Sequence, residues 1–83
     1  MKTIQPASAP TPQEFGLRLY GMIERRGMTV TEFARRMGVS SAAAYFWVSG
    51  KRFPQMALLW EIRRVLGVPW SELLGVQVDN RVR

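Results

Sequence analysis

Neither cysteine nor histidine occurs among the 83 residues. Disulfides and thiol chemistry are thereby excluded, as are the ligand sets of ordinary structural zinc sites. A chain without cysteine fits a reducing compartment. Acidic residues are also few, six Asp and Glu against 12 Lys and Arg, and they are scattered. No carboxylate pair, nucleophile–base pair or phosphate-binding glycine loop emerges from such spacing. Ser40, Ser41 and Ser49 have no base nearby in sequence and read as cap and turn residues. The sequence therefore reads as a non-enzyme, with no metal and no cofactor expected. No apolar run approaches the roughly 18 residues a membrane helix needs, and the N-terminus lacks an apolar signal core. No membrane partner is expected, and a cytoplasmic location follows as the default.

What the chain does have is positive charge. A formal charge of +6 on one small domain favours a polyanionic partner, most often nucleic acid. The length allows a single domain. Residues 1–10, MKTIQPASAP, carry prolines and small residues with no periodicity, which predicts a flexible N-terminal arm. Residues 11–75 hold all the helical patterning. Residues 76–83 form a C-terminal tail in which Val76 and Val78 alternate too briefly to define a strand.

Helix signals recur along the middle segment. Thr11, Pro12 and Glu14 make a capping box with proline at the first helical position. Phe15, Leu19, Met22 and Ile23 follow at helical spacing, which predicts a helix over 12–26 with Leu17 off the apolar stripe. Gly16 and Gly21 either permit close packing or simply weaken that helix. Thr29 and Glu32 repeat the capping box ahead of a helix over 30–37, with Met28 as an apolar plug before it. Gly38 suits a left-handed turn, and Ser40 or Ser41 caps a helix over 41–48. Pro54 precedes a helix over 55–66 with Leu58, Leu59, Ile62, Val65 and Leu66 inward and Met56 and Trp60 at its margins. Arg63 and Arg64 read as surface residues near its end. A short helix over 70–74 closes the series. Phe15, Leu19, Phe33, Ala34, Met37, Val39, Ala44, Trp47, Leu59, Ile62 and Leu66 form the expected core, joined by Val68.

The second and third helices are separated by a three-residue turn with glycine in it, and the small Ala34 suits a close crossing. That arrangement is a helix-turn-helix. If Ala44 and Trp47 face inward, Ser41, Ala42, Tyr45 and Phe46 face outward. Exposed aromatics mark a contact surface, with base edges, another protein or a covering helix all open as partners. The first turn of the second helix, Thr29, Val30 and Thr31, offers backbone N–H groups to a phosphate, or merely satisfies its own end. Lys51 and Arg52 stand where a groove-bound module meets the DNA backbone, or form a solvated basic loop.

With these motifs in register, the chain resembles the lambda repressor and Cro-like, or XRE-type, helix-turn-helix family. The likeness rests on Gly27-Met28-Thr29, Phe33-Ala34, Met37-Gly38-Val39-Ser40, Ala44, Trp47, Gly50-Lys51-Arg52, Pro54 and Leu66-Gly67-Val68, and spans about Phe15 to Leu74. It implies an all-α, compact bundle of four or five helices. It also implies a sequence-specific double-stranded DNA-binding regulator of phage or bacterial type, homodimeric on a pseudo-palindromic site. On that resemblance Ser41, Ala42, Tyr45 and Phe46 contact bases, while Thr29, Val30, Thr31, Lys51 and Arg52 face phosphates. Trp70, Leu74, Val76 and Val78 are candidates for the dimer interface. Val30 replaces a glutamine common in the family, and the third helix lacks Arg, Lys, Asn and Gln, the usual forked base readers. An adaptor that binds protein through Tyr45 and Phe46, or an antitoxin, is the alternative.

Overall fold

The computed structural model describes residues 10–75. Five helices follow in order: α1 (Pro12–Arg25), α2 (Val30–Met37), α3 (Ser41–Val48), α4 (Met56–Leu66) and α5 (Trp70–Leu74). The fold is the all-α bundle expected, with the helix-turn-helix formed by α2 and α3. Most of the expected arm and the whole tail, including Val76 and Val78, lie outside the described residues.

Local signals set the helix starts. Thr11 Oγ1 accepts from the Glu14 N–H at 3.0 Å, and Glu14 Oε1 accepts from the Thr11 N–H at 3.0 Å. The same reciprocal pair joins Thr29 and Glu32 at 3.0 and 2.9 Å. Each box satisfies an N–H group that the helix geometry leaves unpaired. Of the two serines offered as cap for α3, Ser40 does the work, its Oγ accepting from Ala43 N–H at 3.1 Å. Gln55 stands outside α4 as its cap residue and its side chain makes no capping bond. Between α2 and α3, Gly38 has φ 74°, the left-handed conformation that lets the Val39 N–H reach back to the Ala34 carbonyl at 3.0 Å.

The core collects one stripe from every helix. Phe15, Leu19, Met22, Ile23, Phe33, Ala34, Met37, Ala44, Trp47, Leu59, Ile62, Leu66, Val68 and Leu73 are buried together. Val39, expected inside, is only half-buried, because the left-handed step at Gly38 places it at the rim of the turn. Phe53 lies against Phe15 of α1 with ring centroids 4.8 Å apart. Arg63 is not a simple surface residue. Its guanidinium lies 5.7 Å from the Trp60 ring and 5.3 Å from the Trp70 ring, and it donates to the Val68 carbonyl at 3.4 Å. Arg26 similarly ties α1 to α4, its Nε donating to the Leu66 carbonyl at 2.8 Å.

The two glycines of α1 have opposite roles. A Cβ on Gly16 would stand 2.6 Å from the Val48 carbonyl oxygen and 2.7 Å from that of Trp47, so α1 and the end of α3 meet backbone to backbone. A Cβ on Gly21 would meet nothing nearer than the Arg25 side chain at 3.7 Å. Gly16→Ala should therefore cost about 1–3 kcal/mol by forcing apart two main chains. Gly21→Ala should stabilise by about 0.5–1 kcal/mol through helix propensity alone. Thermal melts of the two variants check the opposite signs; a stabilised Gly16→Ala protein would contradict the close crossing.

Candidate nucleic-acid interface

α3 is only eight residues long, yet its two faces differ completely. Ala44 and Trp47 are buried, while Ala42, Tyr45 and Phe46 are exposed and Ser41 is half-buried at the first turn. Tyr45 exposes 51% of its surface and Phe46 36%. The four residues expected to contact bases thus share the outward side of one helix. Leaving two aromatic rings half in water is unfavourable unless a partner covers them.

The opening of α2 lies beside this face. Thr29 and Val30 line a notch of about 320 Å³ together with Tyr45 of α3 and Tyr20, Glu24 and Met28. Thr29 Oγ1 occupies the Glu32 N–H, and among the described residues the N–H groups of Val30 and Thr31 have no partner. These two amides and the positive end of α2 face the side on which Tyr45 stands. The Val30 side chain does not. Only 4% of it is exposed, because Val30 continues the inward stripe of Phe33, Ala34 and Met37. Any phosphate contact at Val30 is restricted to its main chain, as expected of a first turn that offers backbone N–H groups.

The segment after α3 curls back over it. The N–H groups of Lys51 and Arg52 both donate to the Phe46 carbonyl, at 3.0 and 3.2 Å. Gln13 Nε2 donates to the Gly50 carbonyl at 3.5 Å, and the Phe53–Phe15 contact anchors the far end. Lys51 and Arg52 are both exposed, but they are not equivalent. The Arg52 guanidinium lies over the Phe46 ring, 4.9 Å from its centroid, and the two residues line a groove with Ala43, Trp47, Phe53 and Leu58.

Tyr20 and Glu24 were not singled out by the sequence reading. Glu24, one helical turn on from Tyr20, raises the tyrosine pKa as hydrogen-bond acceptor and then as a charge, with a smaller contribution from Tyr45. The phenol therefore stays a neutral donor at the edge of the face. The signal available in the sequence was an aromatic placed one residue off the apolar stripe of α1.

The expected dimer residues within the described segment are engaged in the monomer. Trp70 is half-buried, edge-on to Trp60 with centroids 5.2 Å apart, and Leu74 is half-buried against the core. The more exposed aromatic on that side is Trp60, 54% exposed, with Met56 exposed one turn before it.

Among the described residues no group of side chains is arranged to hold a metal ion, and no helix is long and apolar enough to cross a membrane. Residues 20–73, from mid-α1 to α5, match the helix-turn-helix family. No curated protein matches the chain. Among solved structures it is similar to the clp gene regulator ClgR from C. glutamicum, at 22% identity, covering 77% of this chain and 83% of that one with a TM-score of 0.71. It is also similar to the SOS-response transcriptional repressor LexA from Eubacterium rectale, at 22% identity, covering 88% of this chain and 74% of that one with a TM-score of 0.72. At this identity the likeness to the two structures establishes the fold.

Proposed function

This chain belongs to the helix-turn-helix family, and from that premise we propose that it is a sequence-specific double-stranded DNA-binding transcriptional regulator acting in the cytoplasm. The observation that carries the reading is the outward side of α3, where exposed Ala42, Tyr45 and Phe46 adjoin the open N–H groups of α2. Ser41 and Ala42 enter the major groove first. The Ser41 hydroxyl donates or accepts at a base edge, and Ala42 and Phe46 meet thymine methyl groups. The N–H groups of Val30 and Thr31, with Thr29 beside them, take one phosphate, and Lys51 takes another. Arg52 adds charge beside the Phe46 ring.

Selection of binding sites from a randomised duplex library tests this reading. An enriched motif supports it; no enrichment above the starting pool contradicts it. Lys51→Ala should then weaken enriched and random duplexes by similar factors. It should reduce the magnitude of the salt slope by about 1, since one counterion fewer is released. A loss confined to the enriched duplex would give Lys51 another role.

The module covers one short half-site, so we place a homodimer on a pseudo-palindromic operator with half-sites about 34–36 Å apart. The exposed Trp60 and Met56 beside Trp70 are the surface proposed for that contact. Sedimentation with the enriched duplex should give two chains per site, and Trp60→Ala should reduce this to one. A single chain on a non-repeated site would remove the dimer. The two exposed aromatics of α3 also favour a second reading, a protein-binding adaptor or antitoxin that buries Tyr45 and Phe46 against a protein.

A further inference from the structure

We infer that Arg52 reads a guanine in the major groove and that the Phe46 ring is the positioning residue that holds it there; the inference rests on the DNA-binding reading of the same face. The outward side of α3 offers Ser41, Ala42, Tyr45 and Phe46, none of which presents two donors in a fixed fork. Guanine is the base whose major-groove edge carries two adjacent acceptors, N7 and O6, and it is matched by the guanidinium fork. The chain supplies that fork from outside the helix. Because the N–H groups of Lys51 and Arg52 both bond to the Phe46 carbonyl, the backbone folds back onto the last turn of α3. The Arg52 side chain then runs over the Phe46 ring, with Cζ 4.9 Å from the centroid.

Three features of this arrangement suit base reading better than phosphate binding. The guanidinium makes no ion pair among the described residues, so it has no internal partner to give up. The ring holds the guanidinium at 4.9 Å from its centroid, so less side-chain freedom is lost on binding. Phe46 stands one helical turn on from Ala42 on the exposed side of α3, and Arg52 is held against it. The same ring meets a thymine methyl on the neighbouring base pair. The expected recognition element in each half-site is therefore a guanine next to an A·T pair.

The test uses the full chain and the duplex it enriches from a randomised library, compared with duplexes in which each G·C pair is replaced by A·T in turn. For the unsubstituted chain, one replacement per half-site should cost roughly 5- to 150-fold in affinity, the range for a good forked contact. Arg52→Lys keeps the charge and loses the fork. It should bind random duplex as tightly as the unsubstituted chain, with the same salt slope, yet show less than about a threefold penalty at that guanine. Phe46→Leu should lose part of the discrimination, and Phe46→Tyr, which restores a ring, should retain it; a purely structural role for Phe46 would not track the ring. An Arg52→Lys protein that keeps the full guanine penalty, or an Arg52→Ala protein weakened equally on every duplex, overturns the inference and leaves Arg52 a phosphate contact. Failure of the unsubstituted chain to enrich any motif overturns the DNA-binding reading, and the inference falls with it.

Discussion

Phe15→Ala should destabilise the fold by about 3–5 kcal/mol, the usual cost of emptying a buried phenylalanine site. The ring is fully buried, and it is the point where α1 touches the segment after α3 through Phe53. A single small domain has only about 5–15 kcal/mol in total, so much of the margin disappears in one change. The midpoint of thermal unfolding should fall by at least about 12 °C, taking about 4 °C per kcal/mol as the low end for a domain of this size. Leu17→Ala on the same helix provides the control. Leu17 is 75% exposed, and its loss should stay within about 0.5 kcal/mol. A Phe15→Ala melt within a few degrees of the unsubstituted protein would contradict the placement of the core. Phe15 also links stability to the interface, because the Phe15–Phe53 contact fixes the segment that carries Lys51 and Arg52.

Tyr45→Ala combined with Phe46→Ala should lower affinity for the enriched duplex by at least about tenfold, since each good base contact contributes roughly 1–3 kcal/mol of discrimination. Random-duplex affinity should hold, because the phosphate contacts at the start of α2 and at Lys51 are untouched. Neither ring belongs to the core, Tyr45 exposing 51% of its surface and Phe46 36%, so circular dichroism should confirm an intact fold. Retention of both DNA affinities with loss of a protein complex would instead assign the aromatic ridge to a protein partner.

The helices were legible because their punctuation is local. Thr11-Pro12 with Glu14, Thr29 with Glu32, and Gly38 with Ser40 each place a helix end by bonds within a few residues, and all form as the spacing implies. The outward side of α3 was legible for a related reason: once Ala44 and Trp47 face inward, helical geometry assigns Tyr45 and Phe46 to the other side. Val30 shows how two signals in one sequence can coexist. Its spacing to Phe33, Ala34 and Met37 takes the side chain into the core, while its place at the start of α2 leaves its N–H group open to a phosphate.

The remainder depends on contacts between segments distant in the chain. The meeting of Tyr20 and Glu24 with Thr29 and Tyr45 requires the packing of three helices around one notch. Arg52 over Phe46 depends on a loop path set by two N–H groups sharing one carbonyl, which no residue pattern announces. Arg63 looked like an ordinary cation near a helix end, yet Trp70 arrives from α5 to cover it. The role of Gly16 likewise depends on the carbonyls of Trp47 and Val48, which α3 brings against it.

The most direct measurement of the central claim is a titration of isotope-labelled protein with the enriched duplex, followed by amide resonances. The account predicts the largest shifts at Thr29 to Thr31, along the outward positions Ser41, Ala42, Tyr45 and Phe46, and at Lys51 and Arg52, with Leu17 on the outer side of α1 unmoved. Shifts absent from the α3 ridge and the opening of α2, with the duplex still bound, would contradict it.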